Sequence, residues 1–256
     1  MLPVWNRLLE SPDEAHLVQF YGSDESALSH NVTEYLFTGI RKGEAAIVIA
    51  TKWHTELFLN ELNTRGIDAR GRVTCLDAHK TLNKFMVDGL PDWERFHSAV
   101  GPEIQKARDA AHGVGARAYG EMVGLLWTAG QFAAAIRLEQ FWNRLLSRSS
   151  VNLFCAYPID VLSKGFDEKA VNAVLCNHTH VIPARADRDF EPFMLQAMDE
   201  ILGPVSALIK PLQSRSWAVM PRSEAVVLAL RRHAPDHADE ILELAQERFR
   251  SAASLQ

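Results

Sequence analysis

At 256 residues, 47% of them hydrophobic, the chain is long enough to bury a full core, as one large domain or as one domain with a helical appendage. A net charge of −5 with both signs interspersed leaves no broad basic surface to neutralise phosphates, which argues against direct nucleic-acid binding and against a membrane-surface partner. Residues 1–10 lack the apolar run and cleavage site of a signal peptide, and no apolar stretch is long enough to span a bilayer. Three cysteines, Cys75, Cys155 and Cys176, cannot pair without leaving one over, so a reducing, cytoplasmic setting is expected.

In chain order, Leu17 to Tyr21 predicts a short buried strand, and Gly22-Ser-Asp-Glu reads as a turn into a helix over about 24–38. Ala45 to Ala50 is a continuous apolar run rich in β-branched residues, the pattern of a strand covered on both faces, and residues 52–65 have helical spacing ending at Gly66. A strand over 72–77 follows, then helices over about 78–87 and 93–112, separated by Gly89-Leu-Pro-Asp. Residues 116–119 and 151–156 read as strands, 122–127 and 132–146 as helices. This alternation predicts an α/β fold: a three-layer, mostly parallel sheet with helices on both faces.

After Pro183 the pattern is helical, over about 191–209, 223–233 and 236–252, with Pro211 and Pro235 as breaks. The expected organisation is an extension over 1–15, a main domain over 16–185 and a helical region over 186–256. Whether that region caps the sheet, dimerises or meets a partner stays open. Removing residues from about Gly203 onward is expected to leave the main domain folded, since the alternating elements end before it.

The order strand, Gly22, helix, apolar strand is similar to the start of RecA- and KaiC-like ATPases. A phosphate loop needs several glycines to admit phosphate to the backbone and a lysine to neutralise it. Here Gly22-Ser-Asp-Glu-Ser-Ala-Leu-Ser29 has one glycine, no lysine and two acids, which suit a helix start better than a triphosphate. The scaffold is read as one with a degenerate loop and no nucleotide.

Candidate site residues gather where strands meet helices, the place an open α/β sheet offers a ligand. Strand alternation puts Arg117, Tyr119 and Glu121 on one face, as a ligand contact or as a structural ion pair. Glu139 and Asn143 are one helical turn apart with Trp142 beside them, either a pocket wall or a solvated helix face. His16 and Tyr21 flank the first strand. Cys155 and Tyr157 close a later one, and a cysteine there is an inert small hydrophobe unless its surroundings are accessible and electropositive. Cys176, His178 and His180 alternate, which in an extended segment aims all three one way as weak metal candidates, with Cys155 as a fourth donor; the spacing matches no common zinc pattern.

Several of these stretches also carry a family resemblance. His16 to Tyr21, Tyr35 to Glu44, Ala116 to Trp127, Leu138 to Asn143 and Phe154 to Pro158 together resemble the MEDS domain, from about His16 to about Pro183. That domain is the sensory part of methanogen and methylotroph regulators such as the dichloromethane-responsive repressor. The resemblance implies a small-molecule sensor, hydrocarbon derivatives among the proposed ligands, usually joined to an output module. It places His16, Tyr21, Arg117, Tyr119, Glu121, Glu139, Trp142, Asn143, Cys155 and Tyr157 near the ligand.

With no recognisable DNA-binding or kinase module, a separate output protein, a kinase or a transcription regulator, is the expected partner, and a homodimer stays open. No catalysis and no cofactor are expected. The alternatives are an enzyme using Glu121 and Glu139 on a small polar substrate, or a pure interaction module.

Overall fold

The structure is a computed structural model that describes residues 4–12, 15–69, 72–163, 168–183, 187–211 and 218–253. Its centre is a six-stranded, all-parallel sheet in the order β3-β2-β6-β7-β1-β8, formed by β1 (His16–Phe20), β2 (Ala45–Ala50), β3 (Val73–Asp77), β6 (Ala116–Gly120), β7 (Val151–Tyr157) and β8 (His180–Ile182). Among the described residues no helix is long and apolar enough to cross a membrane.

Strand alternation sorts the side chains between two apolar layers. Val18, Ile47, Ala118, Leu153, Cys155 and Tyr157 face α4 (Ala78–Asn83), α5 (Trp93–Ala110), α6 (Met122–Thr128), α7 (Phe132–Leu146) and α8 (Glu168–Leu175). Leu17, Ala46, Val48, Tyr119, Phe154 and Ala156 face α1 (Val4–Glu10), α2 (Ser26–Arg41) and α3 (Lys52–Thr64). The three-layer α/β expectation holds.

One expected helix is cut short. α4 ends at Asn83, and β4 (Met86–Val87) pairs antiparallel with β5 (Leu90–Pro91) around Asp88-Gly89, whose φ angles of 49° and 80° make a two-residue hairpin turn. Asp-Gly between short apolar pairs is a strong hairpin signal that the helical spacing concealed. α8 and β8 are elements the sequence pattern did not announce.

The chain beyond residue 186 forms α9 (Asp187–Leu202), a 3₁₀ turn (Gly203–Leu208), α10 (Arg222–His233) and α11 (Pro235–Ala253). The expected boundary at residues 185–186 lies outside the described residues. α10 is buried almost all round. Val226, Val227 and Leu230 pack with Met194, Met198, Ile241 and Leu242 of α9 and α11, whereas Leu228 enters the core beneath the sheet. Val219 meets β8 as a parallel bridge, with Val181 N donating to Val219 O and Val219 N to Thr179 O, each at 2.8 Å. The helical region thus caps the β8 edge, and truncation at Gly203 strips a paired edge and part of the core. We expect the truncated chain to aggregate on size-exclusion chromatography; a monodisperse, cooperatively melting product would show that the main domain stands alone.

Arg117 locks the opposite end of the sheet. It lies at the amino end of β6, 1% exposed, and donates to the carbonyls of Leu9 (2.6 Å), Glu10 (2.8 Å) and Tyr35 (2.9 Å), to Thr38 Oγ1 (2.9 Å) and to the Glu44 carboxylate. A Cβ added at Gly39 would stand 2.5 Å from Arg117 Cδ, so α2 approaches this closely only through a glycine. Arg117→Ala leaves a partly buried acid and several carbonyls without their donor and is expected to cost roughly 3–5 kcal/mol. Chemical denaturation checks it, and a change below about 1 kcal/mol would contradict the locking role.

Candidate functional site

Three polar constellations and one cleft bear on function. The first lies at the carboxyl edge, where strand ends release their chains into loops. Glu121 follows β6 directly. Its carboxylate accepts the Thr51 backbone N–H, the Tyr119 hydroxyl (3.3 Å) and His54 Nδ1 (2.5 Å), while His54 Nε2 reaches Glu25 at 3.3 Å. Thr51 caps α3 through its side chain, which sets His54 on the first turn facing β6. Tyr21 stands edge-on to His54, ring centroids 6.5 Å apart.

Burial of His54 opposes its protonation, but hydrogen bonding and charge from Glu121, aided by Glu25, reverse that and raise its pKa. Burial, then Glu121 and Glu25, push the Tyr21 phenol up, so it stays a neutral donor.

The second constellation is enclosed beneath the sheet. Glu139 of α7, fully buried, meets His16 Nε2 at 3.2 Å, His178 Nε2 at 3.3 Å and the Tyr157 hydroxyl at 2.6 Å. Cys155 Sγ lies 3.4 Å from His16 Nε2 and 3.7 Å from Glu139. Burial raises the Glu139 pKa, but His178 and His16 outweigh it and hold the carboxyl far below the usual range. Burial, then His178, lowers the pKa of His16; burial, then Glu139, pushes the Cys155 thiol well up.

Asn143, one turn from Glu139, accepts from His16 Nδ1 at 2.8 Å and donates to Asn177 O at 2.9 Å. The third constellation, Arg117 with Glu44, belongs to the amino edge.

The cleft opens at the carboxyl end of β1 and β7. Phe20, Ile159, Val161, Leu162, Phe190 and Val227 form apolar walls, and Tyr21, Asp24, Asp160 and Glu224 supply polar groups. The loop from Gly22 to Asp24 is one lip; Asp24 accepts the Ser26 N–H at 3.0 Å where α2 begins.

Of the residues singled out in the sequence, only Tyr21 lines this cleft. Tyr119 and Glu121 join His54 at the carboxyl edge, and His16, Glu139, Asn143, Cys155 and Tyr157 form the enclosed cluster. Arg117 shares a face with Tyr119 and Glu121, as alternation required. Four residue steps nevertheless separate it from Glu121, about 13 Å, and it meets other partners. Trp142 is 1% exposed, edge-on to Phe96 at 5.1 Å, and fills core.

Of the alternating stretch only His178 turns inward. Cys176 is exposed at the end of α8, and His180 starts β8 without joining the cluster. Sequence reasoning passed over His54, whose signal was its place one turn after the Ala45–Ala50 strand, and over the apolar cleft walls from α9 and α10.

Because the folded-state pKa of His54 is raised, its contribution to stability is full below the ordinary histidine value of about 6.5 and is lost as pH rises through the folded value. Wild type should therefore lose stability relative to His54→Gln as pH rises from about 6.5. Denaturant midpoints across pH test this, and parallel curves for the two proteins would sink it.

A model of the family described as MEDS: MEthanogen/methylotroph, DcmR Sensory domain, matches residues 15–179. Among curated proteins and among solved structures nothing matches the chain.

Proposed function

This chain belongs to the MEDS family of sensory domains, and from that premise we propose that it senses a small molecule in the cleft at the carboxyl end of β1 and β7, and signals through a separate partner protein. The observation that carries the reading is the cleft's construction, apolar walls with a few polar groups at the sheet edge, which is how small-molecule sites are commonly built. Its chemistry narrows the ligand. Asp160 disfavours an anion, and the apolar walls favour a compact, largely apolar molecule, neutral or cationic. The ligand acts by population shift: it favours the conformer it binds better, which changes the surface shown to the partner.

The same groups support a scaffold that resembles a nucleotide-binding one and has given up the nucleotide. Asp24 and Asp160 occupy the lip where a triphosphate would need lysine and bare backbone amides. The role is binding rather than catalysis. Glu121 and Glu139, the pair an acid–base enzyme would use, are engaged on opposite faces of the sheet, one with His54 and the other with His16 and His178.

Two measurements check the reading. Titration calorimetry with Mg-ATP is expected to show no saturation up to millimolar nucleotide, and micromolar binding would overturn the loss of the nucleotide. A thermal-shift screen of small neutral, amine-bearing and acidic compounds should return hits in the first two classes only. Val161→Trp, which fills the cleft, should abolish those shifts while its own melting temperature stays within a few degrees of wild type. Shifts that survive the substitution would place the ligand elsewhere.

A further inference from the structure

The enclosed cluster beneath the sheet has no part in the cleft's chemistry, and its donors are arranged in one sense. His178 Nδ1 lies 2.8 Å from the Val174 carbonyl, which only accepts, so that nitrogen carries the proton. His16 Nδ1 lies 2.8 Å from Asn143 Oδ1, and the Asn143 amide nitrogen is fixed as a donor by the Asn177 carbonyl, so His16 is also protonated at Nδ1. With Nδ1 so committed, Nε2 is the nitrogen each ring can offer as a lone pair, and in both it faces inward, towards the Glu139 carboxylate and Cys155 Sγ. An imidazole whose outer nitrogen is held by a carbonyl or carboxamide is the usual posture of a metal ligand.

One donor atom from each of His16, Glu139, Cys155 and His178 lies within 4.8 Å of all the others, and all four residues are buried. The His178 side chain is 0% exposed, and its Nε2 makes no hydrogen bond although Glu139 Oε1 stands 3.3 Å away.

The spacing separates a coordination shell from a buried ion pair. Charge-assisted N–H···O bonds shorten to about 2.7–2.9 Å. Around a tetrahedral ion with bonds of about 2.0–2.3 Å, neighbouring donors stand about 3.3–3.8 Å apart. The cluster shows 3.2 Å between His16 Nε2 and Glu139 Oε2, 3.4 Å between His16 and Cys155, and 3.7 Å between Cys155 and Glu139 Oε2, with His178 Nε2 3.3 Å from the other carboxylate oxygen, Oε1. The Tyr157 hydroxyl, at 2.6 Å from Glu139 Oε1, orients the carboxylate from outside the shell.

We propose that His16, Glu139, Cys155 and His178 bind one divalent transition-metal ion, with zinc as the best match to two imidazoles, a carboxylate and a thiolate. Binding deprotonates the Cys155 thiol and releases that proton to solvent. Four protein donors close the shell, which makes the site structural: it ties β1, α7, β7 and the α8–β8 link, segments far apart in sequence. The route in is the polar cleft at the amino end of β1, which His16 and Asn143 line together with Ser147 and Thr179. This inference stands apart from the sensory cleft, and either can fail alone.

The test uses the full chain. Elemental analysis after purification in chelator-free buffer should give about one zinc per chain, and exhaustive chelation should lower the melting temperature by roughly 10 °C, restored by zinc. Cobalt(II) titrated into the stripped protein should give a saturable thiolate charge-transfer band at one equivalent. Cys155→Ser should abolish the band, His178→Gln should weaken cobalt binding more than 100-fold, and Asn143→Ala, which only frees the His16 ring, should weaken it about 10- to 100-fold. The double variant Cys75→Ser/Cys176→Ser, altering the exposed thiols, should keep the band. A stripped wild-type chain that gives no band and no stabilisation with zinc or cobalt overturns the proposal, whether or not any variant folds. So does a band that persists in Cys155→Ser or disappears in the exposed-thiol variant.

Discussion

A parallel sheet covered on both faces keeps water from the side chains pressed against it, so every carboxylate placed there must be met by a cation or by donors from the protein. Three glutamates are met in this way. Glu44 takes Arg117 at the amino edge, Glu121 takes His54 and the Thr51 amide at the carboxyl edge, and Glu139 takes the Tyr157 hydroxyl beneath the sheet, with His16 and His178 beside it. In each case the acid and its partner come from different elements. The polar clusters therefore fix how those elements sit together more than they add net stability, because desolvation offsets much of the attraction. The hydrophobic layers supply the driving force and the clusters remove the alternatives.

The layers were legible in the sequence because their signals are local. The unbroken Ala45–Ala50 run announced a strand buried on both faces, and Gly66 ended the helix after it. The clusters were legible only in part. Alternation put Arg117, Tyr119 and Glu121 on one face but says nothing about position along the strand, and that distance assigns Arg117 to α1 and α2 instead of to Glu121. Cys155 and His178 were linked only as donors of the alternating stretch, and His16 and Glu139 were marked apart from them. What joins them is the register that sets Val18 beside both Cys155 and Val181, a long-range fact with no local trace. The Cys176–His180 stretch failed as an extended run because the turn that closes α8 takes in Cys176 and Asn177, leaving Cys176 outside and turning only His178 inward.

The helical region illustrates a different limit. A stripe of apolar residues on a helix shows that one face is covered, not what covers it. In α10 the run from Ala225 to Leu230 is buried on every side, since the helix is wedged between the sheet layer and the α9–α11 pair. The same wedge supplies Ser223, Glu224 and Val227 to the cleft. Its wall is thus built partly from residues beyond the matched family segment, a region that the family pattern does not contain.

Cleft and enclosed cluster share one partition. Phe20 lines the cleft, and its ring centroid lies 6.4 Å from that of Tyr157, whose hydroxyl donates to Glu139. A ligand that met Phe20 identically in every conformer would shift nothing, however tightly it bound; signalling requires that the wall have two arrangements with different affinities. Tyr157 limits how far that wall can yield, because moving its ring would withdraw the hydroxyl from a fully buried carboxylate and leave that oxygen underbonded. Among the described residues, α9 and α10 place no buried acid behind their side of the cleft. On the proposed sensory reading, motion that reports ligand belongs to that outer side, and the sheet with its buried acids serves as the fixed wall.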